Sequence, residues 1–147
     1  MRKKIISVVC FLLAVFVSHG IAADSAPFFF LQLSDPQFGF MDNNKSISAE
    51  TEAMNKAVTA INQLKPPFVV ITGDFVNNSK SKEQIADYKS MIAQIDSSVK
   101  VYMIPGNHDI GKVSRASIDN YKKNYGEPHF SFRYGDCAFI GIDSNII

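Results

Sequence analysis

Cysteine is scarce in this chain: two in 147 residues, far apart at Cys10 and Cys137. A small disulfide-stapled scaffold is therefore excluded. Charge of one sign is lacking too. The 15 Lys+Arg stand against 14 Asp+Glu, a formal +1, which is no footprint for nucleic acid. No internal repeat, low-complexity tract or linker interrupts the sequence. Mean hydropathy near zero excludes a polytopic membrane protein. What is present is 46% hydrophobic and 20% charged residues, enough for the core of one folded domain and not the composition of a disordered tail.

The N-terminus departs from this average. Arg2, Lys3 and Lys4 form a basic start, Ile5 to Val17 an apolar run broken by Ser7 and Cys10, and Gly20, Ala22 and Ala23 a small-residue stretch. This is the layout of a secretory signal peptide over residues 1–23, cleaved after Ala22 or Ala23, and it predicts a secreted or periplasmic destination. At 1.5 Å per residue the apolar run reaches about 20 Å, short of the roughly 30 Å hydrocarbon core, so no stable membrane anchor is expected. Residues 24–147 then carry 12 Lys+Arg against 14 Asp+Glu, a formal −2, with one cysteine and no disulfide. Cys137, at the head of an apolar run, reads as a buried small hydrophobe.

Past the leader, two periodicities alternate. Phe28 to Leu33 reads as a buried strand that stops at Ser34-Asp35-Pro36. Met54, Ala57, Val58, Ile61 and Leu64 fall at helical spacing within Ala49–Lys65, with Glu50 and Glu52 in the first turn and Pro66-Pro67 behind. Phe68–Thr72 is a second strand, closing on Gly73-Asp74. Ser81 and Gln84 have capping-box spacing ahead of the stripe Ile85, Tyr88, Ile92 and Ile95. A third strand, Val99–Ile104, runs into Pro105-Gly106-Asn107-His108-Asp109. A third helix covers Ser114–Tyr125 with Gly126 as its stop, and Phe130–Tyr134 with Cys137–Asp143 forms a hairpin around Gly135-Asp136. This order predicts an α/β fold whose first three strands are parallel and fully buried, with a terminal hairpin.

Three successive strands thus end, at their carboxyl ends, in Asp35 with Gln37, in Asp74, and in Asn107 with His108 and Asp109. In open α/β sheets ligands bind at that edge, so the three loops should converge. An isolated Asp after a strand is usually a turn or cap. Three oxygen-donor loops and one His in the same topological place suit metal-assisted hydrolysis. There, two divalent ions about 3.5–4 Å apart share a carboxylate, acidify a common water and clamp phosphoryl oxygens. An unligated His beside them can protonate the leaving oxygen.

Asp35-Pro36-Gln37, Gly73-Asp74 and Gly106-Asn107-His108-Asp109, each behind a strand, resemble the first three signature blocks of the calcineurin-like metallophosphoesterase superfamily. The Gly-Asn-His-Asp block is the most specific. The resemblance extends over residues 28–145, and Asp35-Pro36-Gln37-Phe38-Gly39 is similar to a branch that carries Asp-Pro-Gln-Phe-Gly. It implies the N-terminal half of a four-layer α/β/β/α sandwich in residues 24–147. It further implies two divalent ions (Mn, Fe, Zn or Mg) and a phosphate-ester substrate. By the same resemblance Asp35 binds the first metal, Asp74 bridges both, and Asn107 binds the second. His108 is the catalytic His, and Asp109 orients it. Gln37 stands where the wider pattern has His. An amide oxygen there would favour Mn²⁺ or Mg²⁺ over Zn²⁺, or Gln37 simply caps a turn.

The superfamily completes its site with a further His and a Gly-His-x-His block, and this sequence has neither. His129, its other His after the leader, follows Pro128 and reads as structural or surface. The chain also ends on Ile146-Ile147, directly out of an apolar strand. The expectation is therefore the front half of a longer phosphoesterase, weakly active unless the missing half is supplied. The alternative is a non-catalytic anion binder or inert fragment of that fold. No nucleic-acid partner is expected: Lys80 with Lys82 and Lys122 with Lys123 read as solvated helix faces. Phe28–Phe30 read as core strand, and Phe38 and Phe40 either anchor the Gln37 loop or line a pocket mouth.

Overall fold

A computed structural model describes residues 26–146; the leader-like residues 1–23 lie outside them. The elements run β1 (Leu31–Ser34), α1 (Ser48–Leu64), β2 (Phe68–Thr72), α2 (Lys82–Ile92), β3 (Lys100–Ile104), α3 (Asn107–Ile110), α4 (Arg115–Tyr125), β4 (Phe130–Tyr134) and β5 (Cys137–Gly141). Strands β1, β2 and β3 form a parallel sheet in that spatial order, with Leu31 beside Val69 and Val69 beside Val101. β4 and β5 pair as the expected antiparallel hairpin. The α/β class, the parallel sheet and the hairpin are all as the sequence indicates.

Alternation along each strand separates two faces. Leu31, Leu33, Val69, Ile71, Val101 and Met103 turn to one core, shared with Met54, Val58 and Ile61 of α1 and Ile85 and Tyr88 of α2. Tyr121 of α4 closes it, fully buried. The opposite face is aromatic. Phe68 meets Phe132 at 5.0 Å and Phe139 at 4.9 Å between ring centroids, and Tyr102 stacks on Phe132 at 3.9 Å. Edge-to-face and offset contacts of this kind hold the hairpin against the sheet.

The expectation of three fully buried strands needs correction. Only β2 is buried along its length, while β1 and β3 alternate or are half-covered. β2 is the central strand with neighbours on both sides, and the other two are edges. Phe28–Phe30 precede β1 rather than belong to it. Phe29 and Phe30 are both exposed, while Phe28 packs on Tyr134 and Phe30 keeps an edge contact with Phe139 of the hairpin. Cys137 is exposed, not buried; it opens β5 directly after the hairpin turn, and the first two residues of that strand are both exposed. Phe38 is wholly buried and anchors its loop, whereas Phe40 is exposed.

Helix ends follow local chemistry. Ser81 accepts a hydrogen bond from the Gln84 N–H at 3.3 Å, as its spacing predicts, but the Gln84 side chain accepts from the Asn78 N–H instead of closing the box. Asp96 ties the ends of α1 and α2 together. It accepts from the Ser98 N–H and hydroxyl at 2.9 and 2.8 Å and pairs with Lys65 at 3.1 Å. The Ser98 bonds and then the Lys65 charge lower its carboxyl to about 2. A carboxyl held below its unfolded value stabilises the fold above pH 4 and loses that contribution as pH falls towards 2. Asp96→Asn is therefore expected to lower the urea midpoint at pH 7, with the difference from the parent chain shrinking between pH 4 and pH 2.

Candidate metal centre and active site

All three loops at the carboxyl edge of the sheet come together. The Gln37 N–H donates to the Asp74 carbonyl at 2.8 Å, and the Phe38 N–H to the Phe75 carbonyl at 3.0 Å, so the loops after β1 and β2 run side by side. A Cβ built on Gly73 would lie 3.7 Å from Gly106 Cα and 3.9 Å from Asp35 Oδ1. Gly106, at the end of β3, packs closer still. A Cβ there would sit 2.1 Å from Asp74 Oδ1 and 2.3 Å from the Asp74 nitrogen, so only glycine fits against that carboxylate.

The backbone is strained where the donors sit. Asp35, Gln37 and Asp74 have φ of 52°, 34° and 26°, which makes them three of the six non-glycine residues with positive φ among the described residues. Such conformations cost free energy and persist where surrounding bonds over-determine them, commonly at functional sites.

Asp74 is buried, and its Oδ1 accepts the His108 N–H at 2.8 Å. Asp35 is exposed and takes a hydrogen bond from the Ser34 hydroxyl. Gln37 spends its NH₂ on Asn77 Oδ1 at 3.4 Å, so its Oε1 is the free end. Asn107 is exposed at the start of α3, a short helix that the sequence reading missed. Its signal was Gly106 at the N-cap with Asp109 three residues on.

His108 and Asp109 do not meet as expected. The His108 ring lies with Nδ1 at 2.8 Å from the Asn77 carbonyl. A carbonyl only accepts, so this contact places the proton on Nδ1 and leaves Nε2 as the working atom. Asp109 is 1% exposed, and its hydrogen bonds go to backbone: Oδ1 accepts from Phe75 N–H at 2.8 Å and Val76 N–H at 3.2 Å, and Oδ2 from Gly106 N–H at 2.9 Å. The assignment of Asp109 as the partner orienting His108 is corrected accordingly: Asn77 holds the ring, and Asp109 braces the Asp74 and Gly106 loops. Burial pushes the Asp109 carboxyl up to about 7 against those three bonds, and the Asp74 charge adds to the rise. Asn77 was not legible beforehand, because a main-chain carbonyl is the same in every residue type. His129 lies apart, its Nδ1 accepting from the Asp143 N–H at 3.3 Å.

Whether these residues suit divalent ions turns on their chemistry. Asp35, Asp74, Asn107 and the free Gln37 oxygen are hard oxygen donors, as Mg²⁺ and Mn²⁺ prefer. They fit part of a two-ion site. Among the described residues no three His, Cys, Asp or Glu side chains gather closely enough to hold an ion by themselves.

The family model for calcineurin-like phosphoesterases matches residues 30–145. The chain belongs to the calcineurin-like phosphoesterase family. It is 34% identical over 137 residues to the serine/threonine-protein phosphatase CPPED1 of Bos taurus, covering 82% of this chain and 44% of that one. With Homo sapiens CPPED1 it shares 31% over 148 residues, covering 90% and 47%. It is also 31% identical over 99 residues to the probable glycerophosphodiester phosphodiesterase GpdQ of Arcobacter nitrofigilis, covering 65% and 35%. Among solved structures, a dimetal phosphatase from Danio rerio aligns with a TM-score of 0.49 at 19% identity, over 69% of this chain and 35% of that one. The chain spans a little under half the length of its CPPED1 relatives.

Proposed function

We propose that this family member contributes the strand-end half of a two-metal site that hydrolyses phosphate esters. Asp35 and the Gln37 amide oxygen serve one ion, Asp74 serves both, and Asn107 serves the other. The observation that carries this reading is the convergence of three strand-end loops on the Asp74 carboxylate, packed so tightly that Gly106 can bear no side chain. Bound divalent ions (Mn²⁺ or Mg²⁺ ahead of Fe or Zn²⁺, given the oxygen donors) would polarise the phosphoryl oxygens and activate water.

His108 supplies the proton handling. With Nδ1–H fixed on the Asn77 carbonyl, the doubly protonated ring would present an Nε2–H that stabilises developing charge on phosphoryl oxygen or passes its proton to the departing alkoxide, leaving the neutral Nδ1–H tautomer. Two ions with four or more ligands each take more donors than these four residues give, the rest coming from water, substrate or other side chains. Further imidazole donors, in the same polypeptide or a second one, would complete the site. The CPPED1 relatives are named serine/threonine-protein phosphatases, which favours a phosphorylated protein side chain as substrate. Export of the protein rests on the leader-like residues 1–23.

With Mn²⁺, the 147-residue chain is expected to hydrolyse p-nitrophenyl phosphate below the ordinary enzyme range of about 1–1,000 per second. His108→Asn should cut the remaining rate by about 10²-fold. Turnover within that range would refute the shortage of donors, and a rate indifferent to His108→Asn would remove His108 from the chemistry. A second reading is a non-catalytic anion binder, since among the described residues no three acidic or imidazole side chains gather closely. It would show inorganic phosphate binding without any Mn²⁺-dependent hydrolysis.

A further inference from the structure

Between α2 and α4 runs a groove of about 1040 Å³, lined by Lys80, Lys82, Lys89, Lys112 and Lys123 and by no carboxylate. All five lysines are exposed, and none makes an ion pair among the described residues. The segregation is helical. Lys82, Ile85, Ala86 and Lys89 occupy the groove face of α2, while Glu83 and Asp87 of the same helix do not line it. On α4, Asn120, Lys123 and Asn124 face the groove, whereas Asp119 pairs with Arg115 and Lys122 with Glu127 elsewhere. Asn120 bridges its end, donating from Nδ2 to the Ser79 carbonyl at 3.3 Å.

The groove adjoins the site. Ser79 lies two residues beyond Asn77, which holds His108, and Ile110 and Gly111 close the turn that carries Asn107 and His108. A volume at the upper limit of small-molecule pockets, about 300–1,000 Å³, exceeds what a lone phosphate fills and suits several residues of extended chain. The lining has no aromatic ring on which a base could stack and no arginine for bidentate phosphate recognition. Lysine point charges over an Ile85 and Ile110 floor instead suit carboxylate side chains on a peptide.

We propose that this groove docks an acidic peptide segment of the substrate, beside the residue whose phosphate reaches the site. As a statement about substrate it rests on the phosphoesterase reading; as a binding site it is tested separately. Fluorescence polarisation with fluorescein-labelled hexaglutamate should show saturable binding that weakens with salt, and hexaserine should not bind. Lys82→Glu/Lys89→Glu should weaken hexaglutamate by about tenfold or more, while the charge-matched Lys56→Glu/Lys100→Glu leaves it unchanged. Should the reversed pair fail to fold by circular dichroism, the neutral Lys89→Gln/Lys123→Gln variant should show the same direction. Asp74→Asn should retain hexaglutamate affinity while losing hydrolysis, so the groove and the metal site succeed or fail independently. Unaltered affinity in both folded groove variants would overturn the proposal. So would tighter binding of polyuridylate RNA or phosphatidylserine vesicles than of hexaglutamate.

Discussion

Gly106→Ala is expected to abolish metal-dependent hydrolysis while leaving the rest of the chain folded. The added methyl carbon would stand 2.1 Å from Asp74 Oδ1 and 2.3 Å from its nitrogen, so carboxylate or loop must move by more than an ångström. Gly106 itself has φ −94°, an ordinary value for any residue, so the effect comes from close approach and not from backbone freedom. Overpacking of this kind costs about 1–3 kcal/mol of stability. Displacing a group that positions reacting atoms by about 1 Å costs about 10²-fold in rate. The two losses separate by experiment: a melting curve shifted by only a few degrees, with hydrolysis and Mn²⁺ affinity each down at least 10²-fold. Retained affinity for Mn²⁺ would mean that Asp74 is not a ligand in its observed position.

Asp109→Ala should be the most destabilising substitution in the site. It would leave the N–H groups of Phe75, Val76 and Gly106 without their acceptor in a region where Asp109 is 1% exposed. Each unsatisfied buried donor costs about 1–3 kcal/mol, and part of the region can relax, so about 3–5 kcal/mol overall is expected. Asp109→Asn should fall between, because its NH₂ would face an N–H donor on one side. Denaturant unfolding measures both. A partner that oriented His108 would instead leave stability nearly intact and shift the pH dependence of turnover. That outcome would restore the role first expected of Asp109.

Much of this was legible in the sequence, for reasons that differ by element. β2 and β3 announce themselves as apolar runs ending in Gly-Asp and Pro-Gly-Asn, and Ser114 and Gly126 bracket α4 as cap and stop. The loops that carry Asp35, Gln37, Asp74 and Asn107 were expected to converge, and they do, because topology forces the ends of neighbouring parallel strands to one edge. Cys137 was misplaced because an apolar run does not say which side of a hairpin meets the sheet. The exchange of Asn77 for Asp109 beside His108 was hidden for another reason. Adjacent side chains on a short helix point in different directions, so neighbours in sequence need not be partners in space.

The central claim is that Asp74 holds divalent metal at the meeting point of the three loops. Isothermal titration calorimetry of Mn²⁺ into the purified chain and its Asp74→Asn variant tests it most directly, with circular dichroism to show that both are folded. The expected result is measurable uptake by the parent chain and a loss of at least 10²-fold in affinity in Asp74→Asn, since the amide has no charge to offer both ions. Equal Mn²⁺ affinity and stoichiometry in the two folded proteins would contradict it.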